Sequence, residues 1–211
     1  MSNLFPYFPV FLDLAGRSAV LLGGDAAITR LARQCLNAGA SVSVFDPAPC
    51  DALRALAPPL RLTLRRWRGA DLAGARLVAA AESEAHALRA RAAAHAAGAT
   101  FYAFGAPEVS DIALGAITAR GAWAVGVAAP KAPPAFAEAV RQRLDNALPL
   151  ALGACLAAGE RARPDVERKL SAPDRRARFW AALADAAFDR EFASDAEWDA
   201  YVAALLEANA D

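Results

Sequence analysis

Charge of one sign is missing from this 211-residue sequence: Lys and Arg number 23 together, and Asp and Glu also number 23. With no net field, nothing in the chain as a whole recruits nucleic acid or an anionic membrane. Long hydrophobic runs are missing too, since no stretch reaches the ~20 apolar residues that span a bilayer. The opening MSNLFPYFPVF has neither a basic start nor a small-residue cleavage site, which reads as a soluble, cytoplasmic protein. Cysteine is scarce. Cys35, Cys50 and Cys155 are odd in number, far apart and without a C-x-x-C pair, which speaks against a disulfide framework or structural zinc. The two histidines, His86 and His95, fall nine residues apart on different faces of one expected helix, so no metal site is expected.

What is present is organised around residues 18–47, SAVLLGGDAAITRLARQCLNAGASVSVFDP. A short apolar run at 19–22 reads as a strand, and Gly23-Gly24-Asp25 supplies turn chemistry. Ile28, Leu31, Ala32, Cys35 and Leu36 recur at helical spacing, Gly39 ends the helix, and Val42, Val44 and Phe45 resume as a strand. Strand, glycine turn, helix, strand is the order of a dinucleotide-binding unit. There the turn lets backbone approach a pyrophosphate, and an acid at the end of the second strand takes the ribose hydroxyls. Asp46 holds that position and favours NAD, because a 2′-phosphate would meet a like charge. Gly23, Gly24, Asp25, Ala26, Asp46 and Pro47 are therefore the candidate cofactor residues. Against G-x-G-x-x-G/A, a register from Leu22 lacks the first glycine, and a register from Gly23 places Asp25 second and Ile28 third. Either way a side chain is expected where glycine alone adopts positive φ cheaply, and Asp25 brings a carboxylate beside the pyrophosphate. A structural crossover without nucleotide is the alternative.

Further along, 50–57 reads as a short helix and 60–67, LRLTLRRW, as a half-buried strand with a solvated basic face (Arg61, Arg65, Arg66, Arg68). A buried strand at 75–81 runs into Glu82-Ser83 and a helix at 85–97. Strand C-termini carry ligands in such sheets, so Glu82 and Ser83 join the cofactor candidates. The strand at 100–104 leads to Gly105-Ala106-Pro107-Glu108, where a parallel-sheet enzyme places reacting groups, with Asp111 close behind. Strands at 112–118 and 123–128 are expected as a hairpin on the sheet edge, followed by APKAPP. The helix at 135–148 carries Phe136, Val140 and Leu144 on one face. From Pro149 onward the chain is helical, with a polar break at 161–165, a cap at 171–174 and apolar stripes Phe179, Trp180, Leu183 and Trp198, Tyr201, Val202, Leu205. The leading segment 4–14 reads as an edge strand covering the sheet.

Taken together, Phe8-Pro9-Val10-Phe11, Gly23-Gly24-Asp25-Ala26-Ala27, Ala106-Pro107, Val125 and Val127, Arg141 with Leu144 before Leu148-Pro149, and Arg175-Arg176-Ala177-Arg178-Phe179-Trp180 resemble the precorrin-2 dehydrogenase/sirohydrochlorin ferrochelatase family, the N-terminal module of bacterial siroheme synthase. The resemblance implies an α/β fold: a Rossmann-like parallel sheet with helices on both faces (1–112), a dimerisation region (113–148) and an all-helical C-terminal domain (149–211). It implies NAD, a tetrapyrrole substrate near the nicotinamide, a homodimer, and the stand-alone form without a methyltransferase domain. Members oxidise precorrin-2 to sirohydrochlorin and in bifunctional cases insert ferrous iron. The family's turn glycines fall on Gly23, Gly24 and Asp25. Its aspartate before Ala-Pro, general base and chelatase residue, falls on Gly105. Its Ser-Ser-Gly-Gly-x-Ser-Pro loop falls on residues 128–134, where only the last proline remains. Gly105, Ala106, Pro107, Ala129 and Lys131 are thus the implied substrate-binding positions.

Glycine cannot take a proton, which leaves Asp111 as the candidate catalytic residue. Two main readings follow: an NAD-dependent dehydrogenase of siroheme biosynthesis with a non-standard base, or a catalytically degenerate paralogue that binds a tetrapyrrole, metal-tetrapyrrole or protein partner as carrier, sensor or assembly factor. An unrelated regulator using NAD as a redox signal is a third.

Overall fold

The computed structural model describes residues 7–81, 84–129 and 132–210; Glu82, Ser83 and Lys131 lie outside the described residues. The chain divides into two compact units, Met1–Leu114 and Gly115–Asp211.

The first unit is built on β1 (Ser18–Leu22), β2 (Ser41–Phe45), β3 (Arg61–Thr63), β4 (Ala75–Ala80) and β5 (Thr100–Ala103). Their order is β3-β2-β1-β4-β5, with every pairing parallel. Successive strand residues point to opposite faces, so the near-continuous apolar strands require a cover on each side. On one face Ala19, Leu21, Val42, Val44, Leu77 and Ala79 pack with Ile28, Leu31, Ala32 and Cys35 of α1 (Ala26–Asn37). On the other, Val20, Leu22, Val78, Ala80 and Phe101 pack with Ala87, Ala90 and Ala94 of α3 (Glu84–Ala96). Alanines on α3 let that helix lie close to the sheet. Gly39 ends α1 at φ +76°, where glycine avoids the Cβ clash.

Three expected elements are shorter or different. The strand expected over 60–67 is only Arg61–Thr63, because the chain turns back when the Arg65 amide donates to the Thr63 carbonyl at 2.9 Å. The helix expected over 50–57 is the single turn α2 (Asp51–Arg54), followed by turns into Pro58-Pro59. No strand forms over residues 7–14, where Pro9 interrupts any ladder. Leu12 and Leu14 do enter the α1-side core, but Phe8, Val10 and Phe11 face solvent.

The second unit begins with β6 (Ala116–Arg120) and β7 (Trp123–Val127), an antiparallel hairpin forming its own two-stranded sheet rather than an edge of the larger one. Then come α4 (Pro134–Ala147), α5 (Leu152–Lys169), α6 (Pro173–Asp189) and α7 (Asp195–Asn209). The last three bury Phe179, Trp198, Val166, Leu170, Leu183 and Val202 together. Gly159 permits the close approach of α5 to α6, since a Cβ there would strike the Trp180 ring at 2.6 Å. The polar break expected at 161–165 is helical instead. Its polar residues face outward: Arg161 pairs with Asp199 of α7 at 2.7 Å, and Arg163 stacks over Trp180 while pairing with Glu160. Ala172 caps α6 without a side-chain bond, and Pro173 opens the helix. No helix among the described residues is long and apolar enough to cross a membrane.

Candidate functional site

Strand order reverses between β1 and β4, and in open parallel sheets the ligand crevice lies beyond the strand C-termini at such a point. Here the β1–α1 turn forms its floor. Gly23 has φ +115°, and a Cβ on it would stand 3.1 Å from the Ala81 carbonyl oxygen. Its amide donates to the Phe45 carbonyl at 3.1 Å, while the Ala81 amide donates to Leu22 at 2.9 Å. The ends of β1, β2 and β4 are thereby tied at one turn.

Gly24 is required for a different reason. A Cβ there would lie 2.6 Å from Pro49 Cα and 2.9 Å from Asp46 Cγ, and the Cys50 amide donates to the Gly24 carbonyl at 2.8 Å. The second glycine thus admits the β2–α2 loop. The Thr29 hydroxyl donates to the Asp25 carbonyl at 2.8 Å and lies 3.5 Å from the Cys50 sulfur. Thr29, Pro49 and Cys50 were not legible as site residues, because no glycine or charge marks them.

The expectation of a strained side chain at Asp25 is corrected. Asp25 has φ −87° and is the N-cap of α1, its carboxylate accepting the Ile28 amide at 2.9 Å. That is an ordinary capping geometry. The amides of Ala26 and Ala27, the first two of the helix, have no intrahelical carbonyl to reach. Asp46 stands at the end of β2, half-buried, with one carboxylate oxygen accepting the Ala48 amide at 2.6 Å; Pro47 beside it is exposed. These residues fit a dinucleotide. In such a site the glycine turn and the two helix-start amides would hold a pyrophosphate, and the Asp46 carboxylate would hold a ribose.

Gly105 follows β5 on the same rim, exposed at φ +76°, and a Cβ built on it touches nothing within 4 Å. Ala106 is buried, and Pro107 opens a short 3-10 turn over Pro107–Val109. Asp111, the candidate proton acceptor, stands elsewhere. Its carboxylate accepts the Phe101 amide at 2.9 Å and His95 Nε2 at 2.8 Å, and its amide donates to the Phe101 carbonyl. Arg91 lies 3.4 Å away. Phe101 is near the start of β5, so Asp111 closes the sheet edge toward the end opposite the crevice. Burial pushes its carboxyl up, but the His95 and Phe101 hydrogen bonds and the His95 and Arg91 charges outweigh burial and hold it below the usual carboxylate value. Ala129, in the second unit, accepts the Ala132 amide at 2.9 Å after the hairpin. Among the described residues no cluster of three or more His, Cys, Asp or Glu is placed to hold a metal ion.

This reversed-order parallel sheet with a glycine turn and a carboxylate at the end of β2 defines a Rossmann-type dinucleotide-binding protein. Consistently, residues 10–116 match the family described as putative NAD(P)-binding. The siroheme synthase of Chromobacterium violaceum is 34% identical over 207 residues, 94% of this chain and 44% of that protein. The siroheme synthase of Ectopseudomonas mendocina is 30% identical over 175 residues, 82% of this chain and 38% of that protein. The chain thus spans less than half the length of these relatives. A solved structure of SirC, precorrin-2 dehydrogenase, shares the fold with a TM-score of 0.65 at 17% identity, covering 94% of this chain and all of that one. The chain belongs to the putative NAD(P)-binding family and carries Gly105 before Ala106-Pro107.

Proposed function

We propose that the protein serves siroheme biosynthesis in the cytoplasm as an NAD-linked relative of precorrin-2 dehydrogenase, binding a tetrapyrrole beside the dinucleotide crevice. The observation that carries this reading is the C-terminal rim of the sheet: the Gly23 turn and the start of α1 follow β1, and the Asp46 carboxylate follows the neighbouring β2, 2.9 Å from where a Cβ on Gly24 would stand. Bound NAD would supply the hydride acceptor. The chain's own part is to hold the pyrophosphate with backbone, to fix the ribose with Asp46, and to exclude a 2′-phosphate by like charge.

Proton removal from the substrate has no carboxylate at position 105, and Asp111 is engaged by Phe101 and His95. A proton acceptor must lie within hydrogen-bond reach, so turnover is expected to be slow and to rely on water in the open space around Gly105. The same observation favours the second reading, a degenerate paralogue that binds the macrocycle as carrier, sensor or assembly factor. Incubating the purified protein with NAD and precorrin-2 separates the two. Growth of the sirohydrochlorin absorbance band supports the enzyme, whereas ligand-induced thermal stabilisation without that band supports the carrier. If neither NAD nor tetrapyrrole shifts the melting temperature, both readings fall; a hundredfold excess over Kd would stabilise by about 2.7 kcal/mol.

A homodimer belongs to the same proposal. Ile117 on the hairpin, Phe136 and Leu144 on α4 and Leu150 after it all face solvent, and exposed apolar patches of this kind mark association surfaces. Sedimentation of the wild type beside Phe136→Asp tests it.

A further inference from the structure

Beside Asp46 lies an arginine that the dinucleotide reading does not use. The amides of Asp46 and Arg65 both donate to the Thr63 carbonyl oxygen, at 3.2 and 2.9 Å. The two residues therefore flank a single peptide group at the ribose corner. The Arg65 guanidinium stacks over Phe45, the residue before Asp46, at 5.1 Å from the ring centre. Rossmann-type sites that accept NADP place an arginine near this corner to take the 2′-phosphate.

Here that arginine is already committed. Its two terminal nitrogens bind the two Asp71 oxygens at 2.7 and 2.9 Å, and Nη1 also donates to the Arg66 carbonyl at 3.0 Å. Asp71 is itself fixed by accepting the Arg68 amide at 2.7 Å. A bidentate fork has a set geometry and direction. While it holds, Arg65 cannot turn both nitrogens to a phosphate at the end of β2.

We propose that the Arg65–Asp71 clamp is a specificity device that keeps NADP out, acting with the Asp46 carboxylate; the proposal rests on the dinucleotide reading above. Asp46 repels the 2′-phosphate, and Asp71 withholds the nearest counter-charge. In this proposal the two act together, so the largest gain in NADP binding takes both changes. The hydrogen bond to Asp71 raises the guanidinium's pKa and the hydrogen bond from Arg65 lowers that of the carboxyl, as expected of a pair held in its charged form.

The test is titration of the full chain with NAD and with NADP, followed by quenching of tryptophan fluorescence, for the wild type, Asp46→Ser, Asp71→Asn, Asp46→Ser/Asp71→Asn, and that double variant with Arg65→Gln. The expected result is that Asp46→Ser/Asp71→Asn gains at least about tenfold in NADP affinity relative to NAD beyond Asp46→Ser alone, and that Arg65→Gln abolishes the gain. Circular dichroism and melting temperature confirm that each variant is folded. If Asp71→Asn unfolds, Asp71→Ser replaces it with a smaller, uncharged group. An unchanged NADP/NAD ratio in folded double variants overturns the proposal and leaves the dinucleotide reading intact. A gain that survives Arg65→Gln also overturns it. A wild type that binds neither nucleotide overturns both.

Discussion

The two units bury their strands unequally. In β1 four of five residues are buried, and the sheet around it is covered on both faces. In β6 and β7 only Thr118 is buried, and α4 beside them buries only Ala137. Strands with a cover on each side form a self-sufficient core. A hairpin with one helix against it does not, and it leaves Ile117, Phe136 and Leu144 unpartnered. Between the hairpin and α4 the specific contacts are polar: Asp145 on α4 accepts from the Thr118 hydroxyl and pairs with Arg120 at 2.9 Å, and within α4 Arg141 pairs with Glu138 at 2.7 Å. The first unit is thus stabilised by its own packing, while the start of the second leaves apolar side chains exposed.

The sharpest way to break this contrast is a pair of aromatic deletions. Phe101→Ala, at 0% exposure, is expected to cost about 3–5 kcal/mol in urea unfolding. Phe136→Ala, at 60% exposure, should move stability within about 0.5 kcal/mol at concentrations where the chain is monomeric. It should weaken only self-association. Equal losses would erase the distinction.

Within the first unit, two glycines sharpen it further. Gly24→Ala is expected to displace the Pro49 loop and weaken NAD binding at least about tenfold, since its Cβ would meet backbone at 2.6 Å. Gly105→Asp has open space and costs about 1–2 kcal/mol for its positive φ. It should raise turnover of precorrin-2 by restoring a carboxylate on the crevice rim. A Gly105→Asp protein no faster than wild type would favour the carrier reading.

Asp111→Ala leaves the buried Phe101 amide unpaired and is expected to cost about 1–3 kcal/mol with turnover unchanged, because the residue lies away from the crevice. Its pH signature follows from the direction of its shift. The folded carboxyl titrates below the unfolded one, so its stabilisation is present above the unfolded value and fades as pH falls through the folded value. Acid unfolding of Asp111→Asn should therefore be less steep than that of the wild type below about pH 4. A modest effect is expected at the helix cap, where Asp25→Ala costs about 1 kcal/mol by melting.

Much of the first unit was legible because its signals are local. The apolar run 19–22, the helical spacing from Ile28 to Cys35 and the stop at Gly39 all report backbone preferences within a few residues. Asp46 was legible for the same reason, since it ends a strand a fixed distance after a glycine turn. The break expected at 161–165 shows the opposite case. Pro164 and the flanking charges argue locally for a loop, yet α5 continues, because Ala158 and Val166 on either side are buried against α6 and α7. Asp111 was misplaced for a related reason. Its distance along the chain from Gly105 is short, but the 3-10 turn at Pro107–Val109 reverses direction and carries it back along β5.

By itself the sequence determined the βαβ opening, the acid at the end of β2 and the glycine at 105, since each depends on residue type and short-range spacing. Only the tertiary structure decided that Asp25 caps a helix, that Gly24 makes room for Pro49, that Asp111 serves the sheet edge and that Arg65 is held by Asp71. These are contacts between segments distant in sequence or reversed in direction, and hydrophobic periodicity carries no information about which polar group meets which.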